Sequence, residues 1–309
     1  MSIIQYVPDG KEIEIEEGET ILQAAVRAGI PLAHICGGNG RCSTCRVILL
    51  DGLEHCAPRN PKEQAIAELL QFAPEVRLAC QASVNGSVKL RRLVLDDEDL
   101  ELSSLFVKGV EPGSVGIEKH ILILFADIIG FTSFAETLLP YDVIHVLNRY
   151  FHQVGEVIGR HGGHIDTYMG DGFMALFEAD NPTKGAVHAI EAGLEMIEAV
   201  QRLGPYLQVL YQRSFQIRIG LHYGQVVAGT LGALGNKKMT VIGDAVNLAS
   251  RIEAANKKAG TQFLISEDTY ALVKNQVRVG RCTRLSLPGK SGKYTLYEVI
   301  GPPGQGRGQ

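Results

Sequence analysis

The spacing of apolar and polar positions changes several times along the chain, and each change predicts an element. Near the N-terminus Ile13 and Ile15 alternate with acids after a Pro8-Asp9-Gly10 turn, the pattern of a β-hairpin. Thr20 and Gln23 form a capping box ahead of Ile21, Leu22, Ala25 and Val26, and Gly29-Ile30-Pro31 stops the helix they open. Arg46 to Leu50 and Ser87 to Leu95 read as strands with a helix, Pro61 to Phe72, between them, which closes a small mixed domain over residues 1–95. Asp96, Asp97, Glu98, Asp99 and Glu101 follow, then Pro112 and Gly113, so residues 96–117 read as a solvated acidic linker.

A second domain spans residues 118–300. It opens on an apolar run, Ile121 to Ala126, that stops abruptly at Asp127, as a buried strand does when it delivers an acid to a loop. Val143, Leu147, Tyr150, Val154 and Val157 then recur at helical steps and predict a core-facing stripe. His164 to Tyr168 and Phe173 to Phe177 flank Met169-Gly170-Asp171-Gly172, a hairpin with a second acid at its turn. A long helix over Thr183 to Leu203 precedes a half-buried strand in which Phe215, Ile217, Ile219 and Leu221 alternate. Val241-Ile242-Gly243-Asp244 leads into a helix, Ala245 to Lys258, and strands near Phe263 and Tyr294 close the domain. Residues 301–309, rich in Gly, Pro and Gln, read as a disordered tail.

Composition narrows the function classes. A chain of 309 residues, 45% apolar and 21% charged with a net charge of -4, is globular and offers nothing to attract a nucleic acid. No apolar stretch approaches the roughly 20 residues of a membrane span, and no secretion signal opens the chain, so the expected location is cytoplasmic. Six cysteines in that reducing compartment point to ligands or buried thiols rather than disulfides.

Four of those cysteines form the first chemical constellation. Cys36, Cys42 and Cys45 follow a C-x5-C-x2-C spacing and Cys80 returns 35 residues later, close to the plant-type iron–sulfur pattern. Gly37, Gly38, Gly40, Ser43 and Thr44 are small enough for the backbone to wrap a bulky cluster. A zinc site or four unrelated thiols is the competing reading, but zinc sites pair two short knuckles and Cys80 stands alone. Residues 1–95 resemble a 2Fe-2S ferredoxin, with Arg77-Leu78-Ala79-Cys80-Gln81 as the segment of the fourth ligand. The resemblance implies a β-grasp fold holding an electron-accepting 2Fe-2S cluster on Cys36, Cys42, Cys45 and Cys80, with an electron donor as a partner. Cys56 and Cys282 match no ligand position and read as buried or idle thiols.

The second constellation lies in residues 118–300. Asp127 and Asp171, 44 residues apart at a strand end and a turn, can together hold two Mg²⁺ ions if the fold unites them; a solvent-facing turn acid is the alternative. Gly130, Phe131 and Thr132 open a helix whose first N–H groups can receive a triphosphate. Asn247 and Arg251 are one helical turn apart and share a face, where an amide and a guanidinium can orient a sugar and bind a phosphoryl oxygen.

Phe-Ala-Asp127-Ile-Ile-Gly-Phe-Thr, Gly170-Asp171-Gly and Val-Ile-Gly243-Asp-Ala-Val-Asn247-Leu-Ala-Ser-Arg251, in that order, resemble the class III nucleotide cyclases. What the resemblance implies is an α+β chain: the β-grasp domain followed by a ferredoxin-like ββαββ catalytic domain acting as a homodimer. The implied reaction converts a nucleoside triphosphate to its 3′,5′-cyclic monophosphate and pyrophosphate. Asp127 and Asp171, helped by the Ile128 carbonyl, would bind two Mg²⁺ or Mn²⁺ ions. Asn247 would orient the ribose, Arg251 would stabilise charge at the α-phosphate, and Lys290 would contact the triphosphate from a loop.

At the two base-reading positions adenylate cyclases commonly place a lysine and an aspartate or threonine. Here they are Thr167 and Thr240, and the Glu and Cys of a guanylate cyclase are absent. Thr240 fits one variant of the pattern, whereas the Thr167 hydroxyl can donate or accept and so cannot choose a purine by charge. ATP is the favoured substrate, with cluster-dependent control of a homodimeric adenylate cyclase as the leading reading. The competing readings are a guanylate cyclase and a sensor that binds nucleotide without turnover.

Overall fold

The structure is a computed structural model that describes residues 2–7, 10–93, 116–231, 238–274 and 276–302. Pro8, Asp9, the acidic run Asp96–Glu101, Pro112, Gly113 and residues 303–309 lie outside the described residues. The chain divides into two compact units.

In the first unit the N-terminal alternation becomes β1 (Ser2–Val7) and β2 (Lys11–Ile15), paired antiparallel. β3 (Arg46–Asp51), β4 (Val76–Leu78) and β5 (Val88–Arg92) complete a mixed sheet of order β2-β1-β5-β3-β4, in which β5 runs parallel to β1. Helix α1 (Ile21–Arg27) starts at the expected capping box: Thr20 Oγ1 accepts from the Gln23 N–H while Gln23 Oε1 accepts from the Thr20 N–H at 2.8 Å. It packs Ile21 and Ala25 into a core with Ile4, Tyr6, Val47 and Leu90, which is the β-grasp arrangement. Helix α2 (Pro61–Leu69) ends before Phe72, because Gln71 takes a left-handed φ of 53° that no helix continues. Strand β4 was not foreseen; three residues are too few to show a period.

The second unit is built on an eight-stranded sheet. Its strands are β6 (Ile117–Ile128), β7 (Gly163–Met169), β8 (Gly172–Phe177), β9 (Ile217–Leu231), β10 (Lys238–Ile242), β11 (Phe263–Ser266), β12 (Arg278–Leu285) and β13 (Tyr294–Gly301). The order is β12-β13-β11-β9-β6-β8-β7, with β10 attached to β9. After β6 come the five-residue α3 (Phe131–Ala135) and the long α4 (Pro140–Arg160), and after β8 comes α5 (Pro182–Arg202). The central β9-β6-β8-β7 order, reached in the chain as βαββαβ, is ferredoxin-like.

Both faces of the central strands are covered, which is why β6 reads as a continuous apolar run. Leu122, Leu124 and Ala126 face α4 and α5, where Val146, Tyr150, Val154, Val157 and Ile158 form the buried stripe. Ile121 and Ile123 face Val241 of β10 and Ala245 and Ala249 of α7 (Asp244–Ala259). Helix α6 (Gly204–Tyr211), helix α8 (Glu267–Val273) and β12 are additions to the predicted set. The helices are short, and β12 is an edge strand of arginines and glycine that lacks apolar alternation. No described helix is long and apolar enough to cross a membrane.

Candidate functional site

The β6–β8 register pairs Ala126 with Phe173, so Asp127 emerges beside the β7–β8 turn that carries Asp171. Gly172 makes the approach possible: a Cβ there would lie 3.0 Å from the Ala126 carbonyl oxygen and 3.1 Å from Asp127 Oδ1. The Asp171 carboxyl is raised to about 6, first by burial, then by the charge of Asp127 and a hydrogen bond shared with it; the backbone N–H groups of Asp171 and Ile128 oppose the shift. Two half-buried carboxylates this close repel, and a divalent cation would relieve them.

Other groups around the pair respond to its negative charge. Among the described residues the fully buried Tyr150 hydroxyl has no hydrogen-bond partner, and burial followed by Asp127 and Asp171 pushes it well above its usual range. Glu253 on α7 is raised to about 7, by burial and then by Asp127, with Arg218 opposing and Asp171 adding to the rise. Sequence reading placed Tyr150 in the core stripe and passed over Glu253, since a single acid in a polar helix has no signature. An open groove of about 660 Å³ runs past Ile129, Gln216, Arg218 and Asn256, not over the acid pair.

Gly130, in the left-handed region at φ 75°, turns the chain from β6 into α3, so the N–H groups of Phe131 and Thr132 begin a helix three residues beyond Ile128. Phe131 packs edge-on against Phe215 while Thr132 is exposed.

Asn247 and Arg251 stand exposed on α7, opposite its buried Leu248 and Ile252. Among the described residues, no hydrogen bond or ion pair joins either of them to Asp127 or Asp171. Lys290 is held elsewhere: its ammonium binds the carboxylate of Asp244 and, at 3.2 Å, the Asp244 carbonyl, at the start of α7. Thr167 and Thr240 come together from β7 and β10 on a residue that sequence reading did not single out, Asp166, whose Oδ2 accepts from Thr167 Oγ1 at 2.6 Å and from Thr240 Oγ1 at 2.9 Å.

In the first unit the four predicted cysteines converge. Cys36 shares a hydrogen bond with Cys42 and Cys45 shares one with Cys80, which offers two thiol pairs, one for each iron of a two-iron cluster. Among the described residues no three His, Cys, Asp or Glu side chains close around a single ion. Gly37, Gly38 and Gly40 have φ of 68°, 82° and 66°, and the curled loop aims the Gly40 N–H at Cys80 and the Arg41 N–H at Cys36. Cys80 is lowered to about 6, first through its bond with Cys45. The donor set and its N–H groups fit a 2Fe-2S cluster. Cys80 is fixed from behind by a buried ion pair, Arg77 to Glu63 at 2.8 Å, whose Oε1 also accepts from the Leu78 N–H at 2.7 Å. Cys56 lies half-buried against Arg77, and Cys282 is exposed rather than buried.

Residues 116–301 match the family described as the adenylate and guanylate cyclase catalytic domain, and residues 6–85 match the 2Fe-2S iron-sulfur cluster binding domain. An adenylate cyclase of Anabaena cylindrica is 34% identical over 295 residues, which are 88% of this chain and 53% of that protein. Adenylate cyclase 1 of Rhizobium meliloti is 32% identical over 63% of this chain and 30% of its own length. The chain therefore spans about half or less of these relatives. Among solved structures, the guanylyl cyclase Cya2 superposes with a TM-score of 0.57 at 33% identity, covering 62% of this chain and 97% of that one. The adenylyl cyclase CyaB from P. aeruginosa gives 0.56 at 29% identity, covering 60% and 95%.

Proposed function

Because the chain belongs to the adenylate and guanylate cyclase family and carries a 2Fe-2S domain ahead of the catalytic one, we propose that it is a cluster-regulated adenylate cyclase acting as a homodimer. The observation that carries the reading is the meeting of Asp127 with Asp171 at adjoining strand ends. These two carboxylates, with the Ile128 main chain beside them, would hold two Mg²⁺ or Mn²⁺ ions. When bound, the metals supply Lewis-acid activation of the ribose 3′-hydroxyl and neutralise charge on the leaving pyrophosphate.

The chain's own residues do the rest. The N–H groups of Phe131 and Thr132 after Gly130 receive the triphosphate, Asn247 orients the ribose, and Arg251 meets the charge that grows at the α-phosphate as the 3′-oxygen bonds to phosphorus and pyrophosphate departs. Lys290 adds a contact to the triphosphate. Asn247 and Arg251 stand exposed on α7 and, among the described residues, bond to neither Asp127 nor Asp171, which supports a site completed by a second copy. Two relatives bearing the adenylate cyclase name support ATP as the substrate.

Purified chain with ATP and Mn²⁺ or Mg²⁺ should yield cyclic AMP and pyrophosphate in equal amounts. Asp127→Ala and Arg251→Ala should each be inactive alone, and mixing them should restore activity by pairing one intact half-site from each. A mixture as inactive as its components, from variants that still dimerise, would refute shared sites, and no product from the parent chain would refute the cyclase reading.

A further inference from the structure

We propose that Gln81 holds up the reduction potential of the 2Fe-2S cluster by donating a side-chain hydrogen bond to Cys80 Sγ, and that Asn60 fixes which end of its amide faces the sulfur. The proposal rests on the reading of Cys36, Cys42, Cys45 and Cys80 as the cluster ligands; Gln81 is a positioning residue outside that set.

Gln81 is half-buried where three segments meet. Its Nε2 donates to the Gly38 carbonyl of the cysteine loop at 3.0 Å, to the Cys80 carbonyl at 3.0 Å and to Cys80 Sγ at 3.3 Å. Its Oε1 accepts from Asn60 Nδ2 at 3.0 Å. The loop lies directly on the amide: a Cβ at Gly40, whose φ is 66°, would stand 3.0 Å from Gln81 Cδ and 3.1 Å from Nε2.

The two ends of an amide have the same shape, so the chemistry of its neighbours decides which way it faces. Asn60 is the N-cap of α2, and its Oδ1 accepts from the Glu63 N–H at 3.0 Å. A backbone N–H can only donate, so it commits the Asn60 oxygen and leaves Nδ2 to face Gln81. Gln81 meets that donor with its own oxygen. Its NH₂ group is thereby turned to two carbonyls and to a sulfur that, as a ligating thiolate, can only accept. Backbone groups of α2, the cysteine loop and Cys80 together fix the amide.

The bond matters when the cluster accepts one electron from a one-electron donor. Two ferric ions become one ferric and one ferrous, one negative charge is added, no bond breaks and Gln81 keeps both amide protons. A donor on a ligand sulfur stabilises the more negative form more strongly, so the potential rises. In a cyclase that answers to its cluster, Gln81 sets how reducing the surroundings must be before the signal changes.

The full chain is purified anaerobically, its iron content and visible absorption are measured, and it is titrated with dithionite in the presence of redox mediators. Gln81→Met keeps the side-chain length and removes both N–H donors. With iron and absorption like those of the parent, its reduction equilibrium should shift about tenfold towards the oxidised form, a potential lower by about 59 mV for a one-electron couple. Iron retained with the potential unmoved would mean that Gln81 only ties the loop to Cys80; it would overturn the proposal and leave the cluster reading intact. A parent that binds no iron overturns both. Should Gln81→Met lose its cluster, Asn60→Asp decides. Aspartate caps a helix as well as asparagine does but offers Gln81 only acceptors, so the amide turns over and presents its oxygen to Cys80. Its potential should fall further than that of Gln64→Glu, which adds the same charge one turn along α2, at a side chain bonded to Glu68 rather than to Gln81. A fall no larger than that control overturns the proposal equally.

Discussion

Asp171 shares a hydrogen bond with Asp127 and holds its proton up to a pH of about 6. A carboxyl raised on folding binds more protons in the folded chain than in the unfolded one between its ordinary value and the raised one. Stability therefore falls as pH rises through that window, and the repulsion is present in full above it. The metal-free pair is thus a destabilising feature kept for what it binds.

Asp171→Asn should for that reason melt higher than the parent at about pH 7.5 without metal, by a few degrees, and show little gain at about pH 3, below the ordinary aspartate value as well as the raised one. Cyclase activity should drop about a thousandfold, the order seen when a group that stabilises transition-state charge is lost. Scanning calorimetry at the two pH values beside a turnover assay checks both; a variant that melts lower at the higher pH would contradict the pairing.

Gly220 lets α7 cross β9 at close range. A Cβ there would stand 2.1 Å from the Glu253 nitrogen and 2.8 Å from the Ala249 carbonyl oxygen, both backbone atoms that cannot swing aside. Gly220→Ala should cost about 2–4 kcal/mol in urea unfolding, as overpacking does when backbone must move. Because α7 carries Asn247 and Arg251, turnover should suffer even in the fraction that stays folded. A variant as stable as the parent would mean that α7 is not seated as described.

Much of this was legible in the sequence, and the exceptions have physical causes. β6, the β7–β8 hairpin and the cysteine loop announce themselves because burial on two faces, a Gly-Asp-Gly turn and a run of small residues each leave a local pattern. The convergence of Asp127 with Asp171 and of Cys45 with Cys80 is tertiary, and only the family motifs could foretell it. Glu253, Asp166 and the place of Tyr150 beside the two acids stayed hidden for the same reason. Each matters through what faces it, and the bulge at Asp166, between Ile165 and Thr167 of β7, is a matter of register that residue types do not encode.

The thiol pairing supports Cys36, Cys42, Cys45 and Cys80 as the proposed cluster ligands. Cys36→Ser and Cys80→Ser should each strip the visible absorption and the iron from anaerobically purified chain, whereas Cys56→Ser, whose thiol lies against Arg77 and outside the four-cysteine set, should keep both. Comparing cyclic AMP formation by the oxidised, reduced and cluster-free chains then tests control by the cluster. Equal rates in all three would remove regulation from the proposal and leave the catalytic assignment intact.

Lys290 offers a last test, because its charge is engaged within its own chain. The side chain is only 9% exposed and its ammonium sits on Asp244, a residue whose own side chain is largely open to solvent at the start of α7. To meet a triphosphate the lysine must exchange a carboxylate for phosphate oxygens, so the Asp244 contact competes with substrate. Lys290→Ala should raise KM for ATP about tenfold, the order for loss of one charge-assisted contact. Asp244→Asn should lower KM, since a neutral amide holds the ammonium less firmly. In a double-mutant cycle the Asp244 change should have no effect on KM once Lys290 is alanine. An Asp244→Asn variant with KM raised in both backgrounds would place Asp244 in the support of α7 rather than in competition for the lysine.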